Sequence, residues 1–182
     1  MRKIIIALLL CNTAFAQLPI DSTSHLITYT GVVQANGTQQ ELYSRAREWF
    51  AKTYNSAQSV IQMDDKDKIV GKALMKAYYK KYRFGYINYT VTIYIKDDKY
   101  KYEFTEFYHK GEYVGGGVYI GNTYISNADI PNLGPIEGLM DSQKKRDQKI
   151  FAAFSVQIND NVKSLIASLE ETMNKQAAIK DF

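Results

Sequence analysis

Cysteine is almost missing from this chain: among 182 residues only Cys11 occurs, inside an apolar amino-terminal run. Disulfides, thiol catalysis and thiolate-held metals are therefore excluded from the remainder. Histidine is nearly as scarce, with His25 and His109 the two examples. No HExxH or His-x-His spacing exists, so a zinc or iron site would need unusual carboxylate support. Neither histidine reads as catalytic, and His109, at a strand end, reads as solvent-facing or hydrogen-bonded. Gly115-Gly116-Gly117 is not followed by Gly-Lys-Ser/Thr, and no Gly-x-Ser-x-Gly elbow occurs, so phosphate-loop and serine-hydrolase motifs are missing too. A large charge surplus is also lacking. Basic residues number 23 and acidic ones 19; without Arg2 and Lys3 the balance is 21 against 19. Such a weak excess, with no arginine cluster, argues against nucleic acid. No metal, cofactor or catalytic residue is expected.

What is present begins with Arg2-Lys3, the run Ile4–Leu10 and the small-x-small motif Ala14-Phe15-Ala16. This is the layout of a secretory signal peptide with cleavage before Gln17. The run is shorter than the roughly 20 residues a spanning helix needs. Leu10 before Cys11 disfavours lipoprotein processing, which wants a small residue there. Residues 1–16 are expected as leader, 17–24 as a polar lead-in and 25–182 as a single domain, exported to the periplasm or secreted.

Along that domain, His25–Gln34 reads as a strand, with Gly31 marking a bulge. Asn36-Gly37 is a turn. Thr38 and Glu41 have capping-box spacing ahead of a helix on which Leu42, Ala46, Trp49, Phe50 and Thr53 recur on one face. Arg45, Glu48 and Lys52 read as its solvated face, and Trp49 as its anchor on a sheet. Ser59–Met63 reads as a short strand and Asp64–Lys68 as a charged turn rather than a calcium loop, because the central glycine and closing glutamate are missing. Ile69–Ala77, Tyr86–Lys96 and Lys99–His109 alternate apolar and polar residues. The last two, joined by Asp97-Asp98, predict an antiparallel hairpin. The stretch 110–135 is glycine-rich, with room for short strand pieces around Val118–Ile120 or Thr123–Ile125, and its prolines Pro131 and Pro135 end regular structure nearby. From about Ser142 to 177 a long helix carries one apolar stripe through Phe151, Phe154, Ile158, Val162, Leu165, Leu169 and Met173. It lies across its own sheet or across a partner.

The order β-α-β-β-β-β-α predicts an α+β fold, a curved antiparallel β-sheet with helices on one face. His25-Leu26-Ile27-Thr28-Tyr29-Thr30-Gly31-Val32-Val33, then Glu41-Leu42-Tyr43 and Arg45-Ala46-Arg47-Glu48-Trp49-Phe50-Ala51, with Ile69-Val70-Gly71-Lys72, carry a resemblance. The stretch from Thr28 to Tyr113 resembles an uncharacterised domain of unknown function with a TATA-binding-protein-like (TBP-like) fold, found in exported proteins of the Bacteroidota. The resemblance implies a fold and no activity.

Tyrosine is abundant: 12 of the 15 fall between Tyr78 and Tyr124. Cross-strand packing explains much of this, but aromatic rings with hydroxyls also suit recognition. Tyr94, Tyr119 and Tyr124 are the candidates for a ligand or partner face. The expected function is a non-enzymatic envelope protein that binds a protein partner or supports an assembly. The alternative is a small-molecule or glycan-binding module using the aromatic face and the Gly-rich loop. A hydrolase working through Glu103 and Glu106 is disfavoured, because residues three apart on a regular strand point to opposite faces.

Overall fold

The computed structural model describes residues 18–112, 118–120, 122–125 and 130–175; the expected leader lies outside the described residues. The elements are β1 (Tyr29–Gln34), α1 (Gln39–Thr53), α2 (Ala57–Val60), β2 (Ile61–Asp65), β3 (Lys68–Tyr79), β4 (Tyr82–Lys96), β5 (Lys99–Lys110), β6 (Val118–Ile120), β7 (Thr123–Ile125), β8 (Gly134–Pro135), α3 (Ile136–Met140) and α4 (Lys145–Met173).

β2 to β5 form an antiparallel meander. β1 returns to the far edge beside β5, so the strands run β1-β5-β4-β3-β2, with β8 also pairing β5. The α+β class and the antiparallel pairing hold, but the expected curved sheet is corrected. The sheet is open and does not curl round: its path ends at β1 on one side and β2 on the other, with no pairing between them. Alternation in the sequence reports which face of a strand is buried. It does not report whether two edges meet. The expected element order also gains α2, β8 and α3, and the strand pieces Val118–Ile120 and Thr123–Ile125 are both present and pair with each other as β6 and β7.

Local chemistry explains the first helix. Thr38 Oγ1 accepts the Glu41 N–H at 3.3 Å while Glu41 Oε2 accepts the Thr38 N–H at 2.8 Å, a reciprocal cap. The β4–β5 turn adds to it: Asp97 accepts the Gln39 N–H at 2.7 Å and Asp98 accepts the Gly37 N–H at 3.1 Å. Leu42, Ala46, Trp49 and Phe50 are buried. The Trp49 indole N–H donates to Ser168 Oγ at 2.9 Å, so Trp49 anchors α1 on α4. Arg45 is not merely solvated. It donates to the Asn36 carbonyl and to the Met173 carbonyl, each at 2.8 Å, and so caps the carboxyl end of α4.

α4 buries Ile150, Phe154, Ile158, Val162, Leu169 and Met173 against this chain's own core. It begins at Lys145 rather than Ser142, whose hydroxyl instead donates to Asp147 at 2.7 Å. Other boundaries shift for similar local reasons. Asp21 accepts the N–H groups of Thr23 and Ser24 at 3.1 and 2.7 Å, and His25 turns through a left-handed φ of 58°. The first strand therefore starts at Tyr29. Leu18, placed in a polar lead-in by sequence, is buried in the core. Ser59 and Val60 form a helical turn capped by Ser56. Pro135 opens α3 instead of ending structure. Gly31 is not a bulge: it lies opposite Tyr102, whose ring occupies the space a side chain would take.

Candidate functional site

The helices cover one face of the sheet. On β4, Ile87, Tyr89, Val91, Ile93 and Ile95 point towards them and are buried, while Tyr86, Asn88, Thr90 and Tyr94 are half-exposed on the opposite face. The same alternation on β3 buries Ile69, Gly71, Ala73 and Ala77 and leaves Lys68, Val70, Lys72, Leu74 and Lys76 on the helix-free face. Register then extends that face: Val32 opposes Lys101, Lys101 opposes Tyr94, and Tyr94 opposes Lys68.

Tyr94 is thus bracketed. Lys68 Nζ stands 5.3 Å and Lys101 Nζ 5.4 Å from its ring centroid, one from each neighbouring strand. Both are at cation–π distance. Lys101 also meets Glu103 at 3.2 Å. Lys96 and Lys99 face each other at the end of the hairpin. A depression of about 440 Å³ lies here, lined by Val32, Tyr94, Lys96, Lys99, Tyr100 and Lys101.

The charge on this face arises from how the acids are used. Asp97 and Asp98 hold backbone N–H groups at the start of α1. Asp64 opposes Ile69 and so points to the helix side, where it pairs with Arg47 at 3.3 Å and accepts from Tyr43 at 2.8 Å. β3 contributes Lys68, Lys72 and Lys76, β4 Lys96, and β5 Lys99, Lys101 and Lys110 to the helix-free side. The weak net charge of the whole chain is therefore compatible with a basic sheet face. Net charge reports a sum and not its partition between two faces.

Glu106 brings a second correction. It sits in a bulge with a left-handed φ of 56°, where the β4–β5 register slips by one residue. Its carboxylate accepts the Thr90 hydroxyl at 2.6 Å, so it shares the helix-free face with Glu103. The three-residue spacing misleads because the bulge adds a residue. Glu106 borders a second depression, of about 470 Å³, with Leu26, Lys72, Asn88, Thr90, Tyr108, Pro135 and Glu137.

Of the three tyrosines singled out by sequence, Tyr94 stands on this face. Tyr119 and Tyr124 oppose each other in the separate β6–β7 pair, and their side chains lie outside the described residues. Sequence reasoning missed the flanking Lys68 and Lys101. The signal for them was the strand register, which the Asp97-Asp98 turn sets for Lys101.

His109 is fully buried rather than solvent-facing. Its Nε2–H donates to the Phe84 carbonyl at 2.5 Å and its Nδ1 accepts the Leu133 N–H at 3.3 Å, so the ring is neutral. It stacks on Phe154 with centroids 5.2 Å apart. It joins β4, β5, α4 and the segment before β8, a packing role. Among the described residues, no group of three or more His, Cys, Asp or Glu is placed to hold a metal, and no helix is long and apolar enough to cross a membrane.

Residues 29–110 match the family described as a domain of unknown function (DUF4468) with TBP-like fold. The matched stretch begins at β1 and ends with β5, so α3 and α4 lie beyond it. Two solved structures share the architecture. One is a TBP-like protein from Parabacteroides distasonis, with TM-score 0.57 and 12% identity, covering 84% of this chain and 97% of that one. The other is a DUF4468 family protein from Bacteroides ovatus, with TM-score 0.55 and 13% identity, covering 88% and 92%. At these identities the likeness concerns the fold. No curated protein matches the chain.

Proposed function

We propose that this chain is an exported, non-enzymatic accessory module that docks another envelope protein on the helix-free face of its sheet. The composition of that face carries the reading. Val32 is 66%, Leu74 57% and Met63 45% exposed, standing among lysines and Tyr94 on the side away from α1 and α4. Exposed aliphatic side chains gathered on one face suit a protein surface that becomes covered. Export rests on the leader pattern ending at Ala16, and it delivers the protein to the periplasm or beyond the cell.

A photocrosslinking residue in place of Leu74, compared with one in place of Val156 on the exposed side of α4, tests this in native cells. One saturable crosslinked species from position 74 and none from 156 is expected. Equal yields from both, or none from 74 in independent preparations, contradict the reading. Amino-terminal sequencing of the mature protein tests export, with Gln17 as the expected first residue.

A second reading has its own support. The depression beside Glu106 gathers Asn88, Thr90 and the Glu106 carboxylate, polar groups suited to a small molecule or a glycan. Saturable binding of a defined sugar, lost in Asn88→Ala and kept in Leu74→Ser, would favour it.

A further inference from the structure

We infer that the partner of the helix-free face presents an acidic segment interspersed with aliphatic residues; this rests on the docking reading above. Three observations select that chemistry. First, charge is partitioned. Asp97, Asp98 and Asp64 are committed to the helix side, whereas Lys68, Lys72, Lys76, Lys96, Lys99, Lys101 and Lys110 stand on the other and outnumber the acids there, Asp65, Glu103 and Glu106. A face with this imbalance attracts carboxylates and repels basic partners.

Second, Tyr94 is not free to stack. Lys68 and Lys101 approach its ring from the two neighbouring strands at 5.3 and 5.4 Å. A neutral sugar ring would have to displace both ammonium groups to lie on it. An anion would instead meet two cations held beside the phenol. The aromatic residue thus positions charge here.

Third, β3 alternates Lys68, Val70, Lys72, Leu74 and Lys76 along the exposed face. An extended polypeptide whose every second side chain is alternately acidic and aliphatic, as in a Glu-Ser-Leu-Ser repeat, presents both kinds on one face and matches this pattern one group at a time. A phosphodiester or sulfated polymer has no counterpart for Leu74, Val32 or Met63, whose exposure would be left unrelieved.

The test uses the full mature chain and a labelled short Glu/Leu peptide of Glu-Ser-Leu-Ser repeats, which places glutamate and leucine alternately on one face of an extended chain, read by fluorescence anisotropy. Matched Glu/Ser and Ser/Leu peptides, a sulfated oligosaccharide, a short DNA duplex and phosphatidylglycerol vesicles serve as competitors and comparisons. The Glu/Leu peptide is expected to saturate, to weaken as salt is raised, and to lose about tenfold or more in affinity in Lys68→Glu/Lys101→Glu. Leu74→Ser should weaken it as well, and Lys145→Glu on α4 should leave it unchanged. Circular dichroism checks folding, and Lys68→Gln/Lys101→Gln replaces the reversal if that variant unfolds.

The inference is overturned if the Glu/Ser peptide binds as tightly as Glu/Leu, if the lysine variants bind like the parent, or if DNA, vesicles or the sulfated sugar displace the peptide at lower concentration. Should the peptide fail while a crosslinker at position 74 catches a saturable partner, the docking surface stands and the acidic partner falls. Should both fail, both fall.

Discussion

Lys101 Nζ lies 5.4 Å from the centre of the Tyr94 ring, and the two residues oppose each other across β4 and β5. With Lys68 on the other flank, the pair turns an aromatic position into a fixed cluster of positive charge. The cluster sits on the sheet face that no described helix covers, while the same strands bury their other face under α1 and α4. One hairpin therefore supplies both the core and the exposed surface.

Because Tyr94 packs on this open face, Tyr94→Leu is expected to cost about 1 kcal/mol or less, the scale of a partly exposed cation–π contact. Urea unfolding followed by circular dichroism checks it. A loss of about 3 kcal/mol or more would make Tyr94 a core residue and remove it from the surface argument.

Trp49 and Ser168 bind the two long helices to each other. Ser168→Ala leaves a buried indole N–H without its acceptor and is expected to cost about 1–3 kcal/mol. Trp49→Ala should cost more, about 3–5 kcal/mol, because a buried ring is lost. Equal midpoints for parent and Ser168→Ala in a denaturant titration would show that the hydrogen bond is dispensable.

Gly71 lets β3 pass beneath α1. A side-chain carbon there would stand 2.6 Å from Phe50 Cε1 and 3.2 Å from Val60 Cγ1, and Phe50 is fully buried. Gly71→Ala is expected to destabilise by about 1–3 kcal/mol through overpacking. Gly31→Ala should cost less, since it meets only the hydroxyl end of the half-exposed Tyr102 ring. Reversal of that order in thermal melts would contradict the packing described.

His109 makes stability depend on pH. Burial holds its pKa below the ordinary value of 6.5, with the hydrogen bond to Phe84 opposing part of the shift. The unfolded chain therefore takes up a proton first as pH falls. His109 contributes no penalty well above pH 6.5. Stability then drops as pH falls from 6.5 towards the folded-state value, by at most about 1.36 kcal/mol per pH unit. His109→Gln should flatten the profile in that window, although it lowers stability throughout. An unchanged slope in the variant would assign the effect elsewhere.

Features that depend on neighbours in sequence were legible before the structure. The Thr38–Glu41 cap, the alternation along β4 and the stripe of α4 are periodic or local, and each appears where the pattern places it. Features that depend on a distant partner were not. Arg45 looked solvated because its acceptor, the Met173 carbonyl, lies 128 positions away. Glu106 looked opposed to Glu103 because a bulge leaves no trace in residue spacing. The flat charge balance hid a basic face because Asp97 and Asp98 spend their carboxylates on α1, which only folding reveals. The openness of the sheet was hidden for the same reason, since pairing between edges is set far apart in the chain.

The central claim, that the helix-free face is the working surface, is tested most directly by hydroxyl-radical footprinting of the protein in its native envelope and after purification. Met63, Leu74 and Tyr108 report on the helix-free face; Met140 and Val156, on the helices, are also exposed in the isolated chain, at 38% and 51%. The account predicts that Met63, Leu74 and Tyr108 are oxidised less in the envelope than after purification, while Met140 and Val156 are unchanged. Equal oxidation in both settings, or protection confined to Met140 and Val156, would contradict it.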